Sequence, residues 1–171
     1  MRSLTSMKPD AFIILIPGFA SGIADTTCLP AQQNFVNALK KTRPHLNIIV
    51  IAFQYPHKKS TYSLYGCKIM AVGGKGRSKL FRLLLWRRVW KQLWQLRSSY
   101  NIKGLLSFWY GECALVGNRF AKRYHIPHYC WMMGQDAKKD NSYVSRTGLK
   151  GNELIASSDF IQQEFKQNHG E

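Results

Sequence analysis

The segment Gly104–Asp136, GLLSFWYGECALVGNRFAKRYHIPHYCWMMGQD, decides the fold. Leu105 to Trp109 is a short apolar run, read as a buried strand. Glu112 to Tyr124 carries Leu115, Val116, Phe120 and Tyr124 at helical spacing, with Arg119, Lys122 and Arg123 towards its C-terminal end. Pro127 stops that helix, and His128 to Met133 is apolar and aromatic again until Gly134-Gln135-Asp136 breaks it. Two strands joined by one helix form a βαβ unit, which makes the strands parallel. A parallel sheet takes its ligand at the carboxyl ends of its strands. Those ends are Trp109–Glu112 and Met133–Asp136.

Working outward, the same alternation covers the chain. Ala11–Ile16 is a first strand, apolar without a break, as suits the centre of a parallel sheet. Pro30 opens a helix with Phe35, Val36 and Leu39 on its apolar side. Asn47–Phe53 is a second strand and Lys68–Val72 a third, with a loop containing Pro56 and two lysines between them. A long helix runs from Ser78 to Ser99, and after Asp136 a polar stretch leads to ELIASS and a last helix, Asp159–Gln167. The expected architecture is α/β, a Rossmann-like doubly wound sheet in one domain spanning 1–171.

Charge narrows the partners. The net charge is +16 and, between Asp25 and Glu112, 15 lysines and arginines face no acidic residue. A one-signed region of this kind attracts phosphate, whether of lipid, nucleotide or nucleic acid. The four cysteines have neither CxxC pairing nor zinc-finger spacing, so the reading is free thiols, a reducing cytoplasm and no metal. No run approaches the ~18–20 apolar residues of a membrane span. The helix from Ser78 to Ser99 is amphipathic. Leu85, Val89, Leu93 and Leu96 share a half with Leu83, Trp86, Trp90 and Trp94, opposite Arg87, Arg88 and Lys91. Trp90 and Trp94 beside those cations make this helix a candidate membrane-surface contact as well as a sheet-covering one. Arg82 and Arg97 fall on its apolar half, near the ends.

Familiar motifs are mostly missing. Pro17–Gly22 is a small-residue loop between strand and helix but is not GxGxxG, and no GxSxG nucleophile elbow exists. Gly73-Gly74-Lys75-Gly76-Arg77-Ser78 lacks the order of a phosphate-cradling loop and reads as a surface loop ahead of the long helix. Nucleic-acid signatures are also lacking, although Phe108, Trp109 and Tyr110 could stack bases.

The order of elements resembles the N-terminal domain of a GT-B glycosyltransferase, most closely the large retaining family four. The resemblance covers nearly the whole chain. It rests on IPGFASG after the first strand, LLSFW at the fourth, HYCWMMGQD at the fifth and NELIASSDFIQQEFKQNHG at the end. It implies one half of a GT-B fold that holds a glycan or lipid-linked acceptor while a nucleotide-sugar donor binds a second domain. Gly18, Phe19 and Gly22 would line the acceptor cleft, with Trp109, Glu112, Met133 and Gly134. Met133 stands where many members carry His, which leaves Asp136 and Gln135 as the polar candidates for catalysis. The family's EX7E pair belongs to the donor domain, and no two glutamates here have that spacing. The expectation is therefore a chain without its donor-binding C-terminal domain or subunit, inactive alone, without cofactor or metal. It would sit in the cytoplasm, peripheral to the inner membrane face through Arg87, Arg88, Lys91, Trp90 and Trp94. A non-catalytic membrane-recruiting subunit of a split transferase, and a basic α/β nucleic-acid-binding domain, are the rival readings.

Overall fold

The computed structural model describes residues 7–74 and 78–170. Lys75, Gly76 and Arg77 of the Gly-rich stretch lie outside the described residues. The chain order is β1 (Asp10–Gly18), α1 (Pro30–Thr42), β2 (Asn47–Tyr55), β3 (Ser60–Leu64), β4 (Cys67–Ala71), α2 (Lys79–Ser99), β5 (Asn101–Phe108), α3 (Glu112–Tyr124), β6 (His128–Met132), α4 (Ser142–Thr147), β7 (Leu154–Ala156) and α5 (Asp159–His169). Single 3-10 turns occupy Gly134–Ala137 and Gly151–Glu153.

Seven strands form one sheet in the order β3-β4-β2-β1-β5-β6-β7. Every pairing is parallel except that of β3 with β4. The doubly wound α/β fold expected from the alternation is the fold observed. β1 is flanked on both sides, with Ile13 opposite Ile49 of β2 and Leu105 of β5. Its apolar run is continuous because both faces are covered. Ile13 and Leu15 pack with Leu85, Val89 and Leu93 of α2 and with Val116 and Phe120 of α3. Ile14 and Ile16 pack on the opposite side with Val36, while Phe35 and Leu39 close that layer. A third cluster joins Tyr110, Cys130 and Met132 to Phe165 of α5.

Two elements were not foreseen. The loop expected before the third strand contains β3, joined to β4 by Tyr65-Gly66, both at positive φ (54° and 70°). Two left-handed residues in succession are what a tight hairpin requires, and Tyr in place of the usual Asn or Asp conceals the signal. The polar stretch after Asp136 contains α4, begun by Asn141, whose side chain accepts the Tyr143 N–H. Gly74 of the Gly-rich stretch has a packing use. A Cβ on Gly74 would stand 2.6 Å from the Phe53 carbonyl oxygen, so the chain can approach the end of β2 only without a side chain.

The close seat of α3 on the sheet also depends on a glycine. A Cβ on Gly117 would lie 2.8 Å from His128 Nε2 and 2.9 Å from Ser107 Oγ. Those two atoms bond each other at 2.8 Å in the fully enclosed space beneath the helix. His128 Nδ1 is buried with no partner among the described residues, and burial, with Lys122 adding to it, pushes the imidazole down to about 4. A histidine held neutral in the fold but free to protonate when unfolded contributes stability that is full above its ordinary value of 6.5. That stability is lost as pH falls from there towards about 4. By linkage the loss reaches about 2 kcal/mol near pH 5. Urea unfolding followed from neutral pH to about pH 5 is expected to show it, and a His128→Gln variant should lack that portion of the pH dependence.

Candidate functional site

In an open doubly wound sheet the chain leaves neighbouring strands in opposite directions at the point where the order reverses. Here that point lies between β1 and β5, and a cavity of about 990 Å³ opens at their carboxyl ends. Pro17 comes to it from β1, Phe53 and Gln54 from β2, Phe108 from β5, and Trp109 and Tyr110 from just beyond it. Arg82 and Leu85 enter from α2, Glu112 and Cys113 from α3, and Gln135 and Asp136 from the turn after β6. The far wall is Lys138 and Asp140–Tyr143. The two strand ends read from the sequence therefore meet in one cleft.

The backbone at Trp109 makes the corner. Its φ is 68°, in the left-handed region that a bulky residue rarely occupies, and its N–H donates to the Trp131 carbonyl at 3.0 Å. The reversal brings Gly111 and the first turn of α3 to the cleft. No side chain caps that helix. Its N-terminal dipole instead faces the carboxylate of its first residue, Glu112. Glu112 Oε1 is 2.5 Å from Arg82 Nε, and Arg82 also donates to the Tyr143 hydroxyl. Glu112 Oε2 is buried with no partner among the described residues. The helix end where a phosphate would sit in many Rossmann-like units thus already holds a negative group.

Asp136 is also buried and also has backbone work. Its Oδ2 accepts the Met133 N–H at 2.8 Å, closing the 3-10 turn that follows β6. Burial raises its acid group above the ordinary value, opposed by hydrogen bonds from the Met133 and Tyr110 backbones. Asn141 ties this turn to the end of β5, donating to the Tyr110 and Asp136 carbonyl oxygens, each at 3.0 Å. The cleft's walls are held by the backbone of one another.

The other expected residues are scattered around this centre. Gln135 is exposed at the cleft, and Gly134 beside it is open, a Cβ there meeting nothing within 4 Å. Met133 is half-buried with its sulfur 4.0 Å from the Gln32 amide of α1, outside the cleft lining. Phe19 is fully buried in the α1-side core, so its side chain is no part of the cleft wall. Gly18 packs against Tyr55, and Gly22 faces open space. The first loop is bound to itself. Asp25 accepts from Ser21 N–H at 2.9 Å, Ser21 Oγ at 3.1 Å and the Tyr55 hydroxyl at 2.8 Å. These hydrogen bonds, the Ser21 backbone one foremost, hold the Asp25 acid below its ordinary value. Phe108 and Tyr110 are fully enclosed, leaving Trp109 as the one member of that aromatic trio with exposed surface.

On α2, Arg87, Arg88 and Lys91 are exposed and Trp94 is 55% exposed, whereas Trp90 turns inward onto Phe120, ring centroids 5.2 Å apart. The two arginines expected on its apolar side have partners there: Arg82 pairs with Glu112, and Arg97 lies 4.3 Å over the Tyr124 ring. Arg82, Asn141 and Tyr143 escaped the sequence reading. A cation on the apolar side of a helix was the visible trace of the first, and an Asn ahead of a short helix that of the other two. Among the described residues, no group of three or more His, Cys, Asp or Glu side chains could hold a metal ion.

No protein-family model matches the sequence, and no curated relative matches it. Solved structures do. The chain superposes on a sucrose-phosphate synthase from Thermosynechococcus elongatus with a TM-score of 0.58 at 10% identity, over 93% of this chain and 82% of that one. Against a UGT transferase from Siraitia grosvenorii in complex with UDP the TM-score is 0.47 at 15% identity, over 71% of this chain and 24% of that one. Against a UDP-GlcNAc 2-epimerase from Methanocaldococcus jannaschii it is 0.42 at 16% identity, over 93% and 48%. The chain thus spans about a quarter of the Siraitia enzyme's length. At these identities the likeness is one of fold, a Rossmann-like sheet of the kind that forms half of a GT-B protein.

Because Asn141 donates to two carbonyl groups at the cleft wall, Asn141→Ala removes both hydrogen bonds. Chemical denaturation is expected to find the variant about 2 kcal/mol less stable than the parent chain.

Proposed function

We propose that this chain is the acceptor-binding half of a retaining glycosyltransferase of GT-B architecture. One observation carries the reading: the open cleft at the β1/β5 reversal, in a fold that follows a sucrose-phosphate synthase over 93% of its length. The lining suits a ligand rich in hydroxyls. The amides of Gln54 and Gln135 and the hydroxyls of Ser142 and Tyr143 line the cleft together with Trp109, beside the charged side chains of Arg82, Glu112, Asp136, Lys138 and Asp140. An aromatic side chain beside hydrogen-bonding groups is how a sugar ring's own two-sided chemistry is met. A phosphate fits less well, since Glu112 already places a negative charge in the first turn of α3.

In this reading the nucleotide-sugar donor binds a further domain or subunit. Departure of a nucleoside diphosphate demands stabilisation of developing negative charge more than acid–base groups, and the donor side supplies it. This half holds a glycan or lipid-linked acceptor. Gln135, exposed at the cleft, contacts it, and Asp136 fixes the turn that presents Gln135. Gly134, open to solvent, leaves room for the acceptor to approach the backbone. Met133 brings neither a proton nor a hydrogen-bond donor, which leaves Asp136 and Gln135 as the polar candidates for catalysis on this half. In this reading the cations and Trp94 on the outer face of α2 meet an anionic membrane as a further partner, on the cytoplasmic side of the inner membrane. The same face also favours a membrane-recruiting role within a two-chain transferase.

Saturation-transfer NMR against neutral oligosaccharides, UDP-sugars and an unrelated DNA duplex tests the proposal. Oligosaccharide binding is expected, weakened about tenfold in Trp109→Ala. No sugar transfer by the isolated chain is expected either. Salt-sensitive binding to the duplex without any response to glycans would instead favour the nucleic-acid reading, and turnover by the isolated chain would overturn the split of labour.

A further inference from the structure

On one side the sheet ends at β3, which pairs with β4 alone and leaves its other edge open. The hairpin settles which backbone groups face outward. Its two-residue turn is closed by the pair Leu64–Cys67, and from there bonded and unbonded pairs alternate along the antiparallel ladder. Leu64, Tyr62 and Ser60 therefore turn their N–H and C=O groups to β4. Thr61 and Ser63 turn theirs to the open edge. The register is fixed, because Tyr62 and Leu64 pack into the α1-side core and the Tyr62 hydroxyl donates to the Ala20 carbonyl.

The side chains beside that edge are polar and basic. Thr61 and Ser63 are exposed on the face opposite Tyr62, and Lys68 stands directly across from Ser63 on that same face. Lys58 and Lys59, both exposed, lead into the strand. None of these three lysines has an ion-pair partner among the described residues. A hollow of about 320 Å³ adjoins the edge, lined by Thr61, Ser63 and Lys68 together with Lys40, Ile49 and Tyr100. Lys40 is pinned there by donating to the Pro44 and Leu46 carbonyls. No acidic residue occurs between Asp25 and Glu112, so neither the strand nor its sequence neighbours offset this charge.

An open edge flanked by lysines repels a second copy of itself, which is how edge strands escape self-association. The same lysines attract a strand of opposite sign. A nucleic acid would use the cations but would not supply the alternating donors and acceptors that Thr61 and Ser63 offer another backbone. We propose that β3 is the docking edge for an extended acidic segment of a partner protein, which adds antiparallel as a further strand. Acidic residues opposite Thr61 and Ser63 exchange backbone hydrogen bonds with them and project their carboxylates over Lys68 and the hollow. Docking at this edge does not depend on what the cleft binds.

Fluorescence anisotropy tests it, with a short labelled peptide of alternating Glu and Val against one of alternating Lys and Val. The acidic peptide should bind and the basic one should not. Lys58→Glu, Lys59→Glu and Lys68→Glu together should weaken binding at least about tenfold. The same change of charge at the exposed Lys139→Glu, Lys150→Glu and Lys166→Glu should cost no more than about threefold. In an antiparallel partner the Glu nitrogens face β3 and the Val nitrogens face away. N-methylation of the Glu nitrogens should therefore abolish binding, and N-methylation of the Val nitrogens should leave it within about threefold. Amide exchange in the complex should slow at Thr61 and Ser63 but not at Tyr62 and Leu64, which already bond β4. All the substituted lysines are exposed, so unfolding midpoints should not move, and measuring them separates lost docking from lost fold. No binding of the acidic peptide, equal binding of both peptides, indifference to which nitrogens are methylated, or equal loss in the two triple variants would overturn strand addition. Binding without slowed exchange at Thr61 and Ser63 would reduce the edge to a polyanion contact and overturn it as well.

Discussion

Everything here depends on β1 being paired in parallel on both sides. A strand so placed has no free edge and no solvent face, so Ala11 to Ile16 must be apolar throughout. It also forces the connections apart. α1 returns across one face of the sheet to reach β2, while α2 and α3 cover the other on the β5 side. The two directions of winding separate at the carboxyl ends of β1 and β5, and a gap opens there that side chains of α2 and α3 line without filling. The cleft is a consequence of topology before it is a consequence of any residue.

What the sequence then does is line the gap with groups already fixed by their neighbours. Asp136 and Asn141 spend their hydrogen bonds on the backbones of the walls, and Arg82 is joined to Glu112 across the mouth from a different helix. Trp109 is held in a left-handed conformation by its place between strand end and helix start. Such restraint lowers the ordering cost of binding, since a ligand meets side chains and turns that have little freedom left to lose. The Asp25 loop is built the same way but for a different end, being closed on Ser21 and Tyr55 rather than turned to the cleft.

The β5-α3-β6 unit was legible because its periodicities change cleanly from buried strand to amphipathic helix and back. Of the two strand ends it marked, Trp109–Glu112 and Met133–Asp136, the first meets Gln135 and Asp136 of the second in the cleft, while Met133 and Gly134 stay outside its lining. Periodicity could not give the direction of single side chains at the ends of elements. Phe19 looks like a loop residue in sequence and is in the core, because the chain continues β1 past Pro17 before turning. Trp90 and Trp94 look equivalent on a helical projection, yet one packs on Phe120 and the other is open, since α3 covers only one flank of α2. β3 and α4 were missed because their signals lie in turn geometry and a cap, where Tyr65 and Asn141 do work that composition does not advertise.

The central claim is that the β1/β5 cleft is where a glycan acceptor lies. Its most direct measurement is a map of side-chain resonances by heteronuclear NMR during titration with an oligosaccharide that the chain binds. The account predicts that the Trp109 indole and the Gln54, Gln135 and Asn141 side-chain amides shift together along one saturating curve, while the Asn47 and Asn101 amides at the opposite edge of the sheet stay still. Shifts confined to that opposite edge, or spread over the surface without saturation, would contradict it.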